Sequence, residues 1–128
     1  MEKYANLAAR ILVAQLFLLA GFSKITGYSG TQSYMEAMGV PGVLLPLVIL
    51  LEVGGGLALI LGWQTRIISL ALAGFTLLAA FIFHSNFADQ MQMIMFMKNI
   101  AITGGLLAIS VQDVRHSIGI DHWRLAAH

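Results

Sequence analysis

The chain has 128 residues, 59% of them apolar and 10% charged, with a formal net charge of +1 and a mean hydropathy of +0.84. A body this small has a large surface for its volume, and seven Lys/Arg with six Asp/Glu cannot clothe that surface against water, so the composition excludes a soluble globule and fits a bilayer. The absence of a Lys/Arg cluster argues against nucleic acid as a partner, and the absence of Cys excludes a disulfide framework, a thiolate metal site and a dithiol relay.

A membrane-spanning helix takes about 20 mostly apolar residues. Four stretches qualify: Ala5–Ile25, Gly42–Gly62, Arg66–Phe87 and Met91–Val111. No small-x-small cleavage site follows the first in a polar context, so it reads as a retained helix and not a signal peptide. The connection from Thr26 to Pro41 carries Tyr28, Tyr34, Met35, Glu36 and Met38, a pattern for an amphipathic segment on the membrane surface. Gly39-Val40-Pro41-Gly42 marks a turn and a helix start. Gly62-Trp63-Gln64-Thr65-Arg66 is short enough to make the helices on either side antiparallel neighbours. The fold class expected is all-α: an integral membrane antiparallel four-helix bundle, one domain over residues 1–128, with Gly54-Gly55-Gly56 and Gly104-Gly105 permitting close helix approach.

Lys3, Arg10, Arg66, Arg115 and Arg124 fall on the side of the termini, against Lys24, Glu36 and Asp89 on the other, which predicts that both termini are cytoplasmic. Arg10, Arg66 and Trp63 read as anchors to membrane lipids, the arginines snorkelling to headgroups.

The interruptions of the apolar runs carry the chemistry. Glu52 lies mid-span, Lys98 and Asn99 about two turns inside the fourth span, Lys24 at the end of the first, and His84 and Asn86 at the end of the third. An ionisable group at mid-bilayer costs at least about 2.5–3.5 kcal/mol, so it faces the bundle interior and finds a partner. Lys24 and Lys98 are the partners expected for Glu52. Together Lys24, Glu52, His84, Asn86, Lys98 and Asn99 form a candidate polar pocket in the outer half, its surplus positive charge suited to an anion or to a quinone carbonyl. The structural alternative is a network that pins the helices in register.

Two metal readings are disfavoured. A bis-histidine haem needs a second embedded histidine, and His116, His122 and His128 all lie in the tail. Met91, Met93, Met95 and Met97 are thioethers of the kind that bind Cu(I), but a spacing of two scatters them around a helix, so they read as lipid-facing or gap-filling. No metal site is expected, and the sequence leaves the cofactor open, a quinone being the candidate. No P-loop, dinucleotide fingerprint, nucleophile elbow or HExxH motif is present.

The same residues carry a resemblance. Arg10…Phe17…Gly21-x-x-Lys24, Gly39-Val40-Pro41, Glu52-x-x-Gly55-Gly56, Gly62-x-x-Thr65-Arg66, Phe83-His84 and Phe96-x-Lys98-Asn99 follow the order and spacing of the DoxX family. The chain resembles that family over nearly its whole length, and its YqjF-type inner-membrane members most over Thr26–Phe87. The resemblance implies a four-helix protein of the bacterial inner membrane. Some relatives are named as subunits of thiosulfate:quinone oxidoreductase or as quinol-oxidase-like proteins, and others partner soluble redox and sulfur enzymes.

Three functions are therefore expected as alternatives. The first is a quinone- or quinol-interacting component of a membrane oxidoreductase system. The second is a non-enzymatic membrane anchor or assembly partner for a soluble redox enzyme, docking through the tail Gln112–His128. The third is a small transporter or efflux-assisting protein, weakened by the lack of an evident inverted repeat. Four short helices bury little surface, which leaves a homodimer open.

Overall fold

The protein is described by a computed structural model over residues 1–112 and 118–126. Its described residues are helical, with no strand among them. The first helix, α1, runs Glu2–Thr26 and is separated by Gly27 from α2, Tyr28–Ala37. Gly39, at φ 83°, turns the chain into a second helical span over Gly42–Leu61.

That span changes pitch as it goes. A 3-10 turn, Gly42–Leu44, leads into α3, Leu45–Ile49, whose first turn holds Pro46 where its missing N–H costs nothing. A π-turn, Leu50–Gly54, follows, and α4, Gly55–Leu61, completes the crossing. After a tight turn come α5, Thr65–Phe83, and α6, Gln90–Ser110, and finally a short α7, Ile120–Ala126.

Four of these helical segments, Glu2–Thr26, Gly42–Leu61, Thr65–Phe83 and Gln90–Ser110, are long and apolar enough to cross a membrane. Within their most apolar windows only 22–33% is buried inside the chain, so most of each helix must meet lipid. Leu12, Leu19, Phe22, Leu47, Leu50, Ile67 and Leu78 are exposed accordingly. The interior is a narrow seam of Ala14, Phe17, Leu59, Leu72, Ala73, Leu106 and Ile109. The most extensive contacts join α5 to α6 and α1 to α4.

Two expectations are refined. The third span stops at Phe83 and not at Phe87, because Ser85, Asn86 and Asp89 favour turns and caps over helix interior. Asp89 then starts α6 by accepting from the Met91 N–H at 3.0 Å. The connection after Thr26 is indeed helical, and α2 tucks Met35 inward while Tyr34 stacks on Phe83 at 5.5 Å between ring centroids.

Close approach is confined to some of the glycines. A Cβ on Gly56 would stand 2.9 Å from Leu18 Cγ and 3.2 Å from the Ala14 carbonyl oxygen, and one on Gly55 would press Leu72 at 3.2 Å. Gly104 has nothing within 4 Å of its missing Cβ, so no helix closes on it.

Candidate functional site

Of the six pocket candidates, the structure joins two. Lys24, in the last turn of α1, places Nζ 2.8 Å from Glu52 Oε1, with the lysine side chain 27% exposed and the glutamate 5%. Two local features bring them together. The π-turn adds a residue to the turn that carries Glu52, re-aiming the side chain. Gly21, one turn before Lys24, has no side chain in the way: a Cβ there would lie 2.5 Å from Val53 Cγ2. The spacing Gly21-x-x-Lys24 thus combines a gap that admits the π-turn with the cation that meets its carboxylate.

The remaining candidates serve elsewhere. His84 Nδ1 lies 3.0 Å from Gln92 Oε1, a hydrogen bond tying the end of α5 to the first turns of α6. Asn99 donates from Nδ2 to the Thr76 carbonyl at 3.4 Å, a polar link between α6 and α5, and its own backbone carbonyl accepts from Thr103 Oγ1 at 2.8 Å within α6. Asn86 is exposed in the turn between those helices. Lys98 is exposed and makes no ion pair among the described residues, so the expectation that it partners Glu52 is corrected: one lysine, Lys24, takes the carboxylate.

A second polar centre lies at the opposite end of the bundle, the end that carries the termini. The expectation that Arg10 snorkels to headgroups is also corrected: the residue is 1% exposed. Its Nη1 donates to the Leu59 carbonyl at 3.1 Å, and its Nη2 donates to the Ile118 carbonyl. The guanidinium therefore bridges the end of α4 to the residues that lead into α7.

Asp121, in the first turn of α7, completes the joint. Its carboxylate accepts from the Gln64 and Thr65 N–H groups, each at 2.8 Å, capping the start of α5, and its own N–H donates to the Gly62 carbonyl at 2.8 Å. An acidic group at a helix N-terminus satisfies orphan donors and suits the helix dipole. Gly62 and Gly119, both at positive φ, pass so close that a Cβ on either would meet the other's Cα at 2.7–2.8 Å.

Sequence reasoning missed this centre. The available signal was an arginine inside an apolar run and an aspartate in the tail with no evident partner nearby. Arg66 and Trp63, the other expected anchors, are exposed beside it. Of the tail, Trp123 is exposed, while Arg115, His116 and His128 lie outside the described residues.

Comparison with known proteins matches this sequence to one family. A sequence model of the DoxX family matches residues 5–85. The chain is similar to "Inner membrane protein YqjF" of Escherichia coli (strain K12), 60% identical over 111 residues that cover 87% of this chain and 85% of that protein. It is 34% identical to "Inner membrane protein YphA" of the same organism over 82% of this chain and 80% of that one. It is also 30% identical to "Putative oxidoreductase CatD" of Bacillus subtilis (strain 168), over 60% of this chain and 57% of that protein. No solved structure matches.

Proposed function

The chain belongs to the DoxX family, and from that premise we propose that it is a quinone- or quinol-interacting component of a bacterial inner-membrane oxidoreductase system. Both termini face the cytoplasm on this reading, as the Lys/Arg asymmetry favours. The observation that carries the proposal is the Lys24–Glu52 pair: an ion pair within the apolar part of the bundle, one member buried and the other reachable from outside. The name of the Bacillus subtilis relative adds support for redox chemistry.

A quinone would supply two-electron, two-proton chemistry. The chain's own part is modest and definite. Lys24 Nζ carries three donors and uses one direction toward Glu52, leaving N–H groups to hold a carbonyl oxygen. Glu52 keeps the lysine in place and is positioned to hold or pass a proton through it. With no Cys in the chain, electrons cannot pass through its own thiols, so an oxidoreductase partner fits the reading.

Binding of ubiquinone and menaquinone analogues to purified protein tests this directly. Glu52→Gln and Lys24→Ala should each weaken affinity about tenfold, the scale of one hydrogen bond to a charged group. Unchanged affinity in both variants, with helicity retained, overturns it.

One observation favours a second reading, assembly with another membrane-embedded subunit, which differs from docking of a soluble redox enzyme on the tail. Lys98 is exposed eight residues inside α6, about 12 Å along the helix at 1.5 Å per residue. A carboxylate on a neighbouring subunit would offset the cost of that charge in hydrocarbon. If Lys98→Met leaves unchanged every species that cross-links to a photoreactive residue at the exposed position Ala101, this reading fails.

A further inference from the structure

The buried polar side chains of the spanning helices fall on two sides of one apolar layer. Toward the terminus end lie Asn6 and Arg10 of α1, Ser69 of α5 and Ser110 of α6. Toward the opposite end, that of α2 and of the turn from α5 to α6, lie Glu52, Thr76 of α5 and Thr103 of α6. Between the two sets stand Phe17 of α1, 3% exposed, and Leu59 of α4, Leu72 of α5 and Leu106 of α6, each 0% exposed, packed in a single cluster.

The layer is of even thickness. Ser69 and Thr76 on α5, like Thr103 and Ser110 on α6, are about 10.5 Å apart along their helix at 1.5 Å per residue. A hydrogen bond spans only about 2.7–3.2 Å, so a proton crosses such a layer only along a chain of water. The packing leaves no room for one. A Cβ on Gly56 would lie 3.2 Å from the Ala14 carbonyl oxygen and one on Gly55 3.2 Å from Leu72, so α1, α4 and α5 are in direct contact at this level. Water also needs polar partners, which the side chains of the layer lack.

Lys24 stands on the loop side of this layer, about 21 Å from Arg10 along α1. It lies in the last turn of that helix, its side chain 27% exposed, and the polar residues Thr26, Ser29, Thr31 and Ser33 follow it in the chain. Lys24 is also the charge that faces Glu52. The other helices packed against the π-turn, α3 and α4, carry no ionisable side chain.

We propose that the Lys24–Glu52 pair exchanges protons with the loop-side compartment alone, the apolar layer insulating it from the terminus side. This deepens the quinone reading and rests on it for the identity of the ligand. Protons taken up or released at the site then belong to one compartment, the outer one on the topology that the Lys/Arg asymmetry favours. Arg10 and its joint with α7 belong to the other.

The chain has no Cys, so Glu52→Cys carries a single thiol. In sealed membrane vesicles of each orientation, the membrane-impermeant reagent 2-(trimethylammonium)ethyl methanethiosulfonate should label that thiol from the loop side and not from the terminus side. Arg66→Cys, exposed at the other end, should show the reverse and so fixes the orientation. A second measurement uses the unaltered chain and stands even where Glu52→Cys fails to fold. Dicyclohexylcarbodiimide enters through lipid and reacts with protonated carboxyl groups. Its rate at Glu52 should rise when the loop side is acidified and stay level when the terminus side is. Labelling of the thiol from the terminus side or from neither side overturns the proposal, as does a carbodiimide rate that follows the terminus-side pH or neither pH. Neither measurement contains a quinone, so a failure of quinone binding leaves the one-sided access standing, and a failure here leaves the quinone reading to its own test.

Discussion

At the scale of single residues, two buried charges organise the two ends of the bundle, and they do so differently. Glu52 is matched by a lysine of opposite charge, so the pair is sensitive to loss of one partner more than to loss of both. Lys24→Ala leaves a carboxylate without its cation in an apolar setting and should destabilise the fold by about 2–4 kcal/mol, softened from the fully buried case because Lys24 is partly exposed. The double variant Lys24→Met, Glu52→Leu should recover most of that loss. Thermal unfolding of the two singles and the double, read as a cycle, checks it. Arg10 is matched by backbone carbonyls on two segments, Leu59 and Ile118. Arg10→Lys keeps the charge but cannot span both acceptors, since a lysine lacks the planar fork of the guanidinium. Protease cleavage within residues 118–126 should therefore quicken in Arg10→Lys while the helical content of the rest stays unchanged.

At the scale of elements, the glycines divide by what stands beside them. Gly56→Ala must push into Leu18 and the Ala14 carbonyl, and should cost about 1–3 kcal/mol, the usual range for overpacking. Gly74→Ala and Gly104→Ala meet nothing within 4 Å and should change stability by less than about 1 kcal/mol. Unfolding midpoints of the three variants decide between this division and a general glycine requirement. The π-turn over Leu50–Gly54 belongs to the same argument: Gly21 admits it, and it delivers Glu52. Helix α7 is held by a different logic, through Asp121 capping α5 and through two glycines in contact. Its hydrogen-bonded attachment is polar and long-range in sequence, unlike the apolar seam of the spanning helices.

At the scale of the whole molecule, hydrocarbon as solvent explains the proportions of the fold. Little of each helix is buried because lipid accepts the rest, so specificity rests on glycine contacts, the Asn99–Thr76 seam and the two charged centres. Topology is the property that sets which centre faces which compartment. Reporter fusions should show a cytoplasm-active tag fluorescing at both termini and a periplasm-active phosphatase working when inserted after Gly39. The opposite pattern would reverse the assignment of both centres.

The spanning helices and the mid-span charge of Glu52 are legible in the amino-acid order itself. Apolar run lengths set the number of spans, because a bilayer imposes a fixed thickness on the chain that crosses it. Glu52 and Lys24 stand out because charge within such runs is costly and must be answered. Pairing is another matter. Whether Glu52 meets Lys24 or Lys98 depends on helix rotation, and that rotation is settled by a π-turn and by one missing side chain at Gly21, features with no periodic signature. Arg10 reads as a headgroup anchor because its carbonyl acceptors belong to residues 49 and 108 positions away in sequence. Solvent preference is a property of composition and is written along the chain. The partner of a buried charge is a property of packing, and only the folded arrangement of helices decided it.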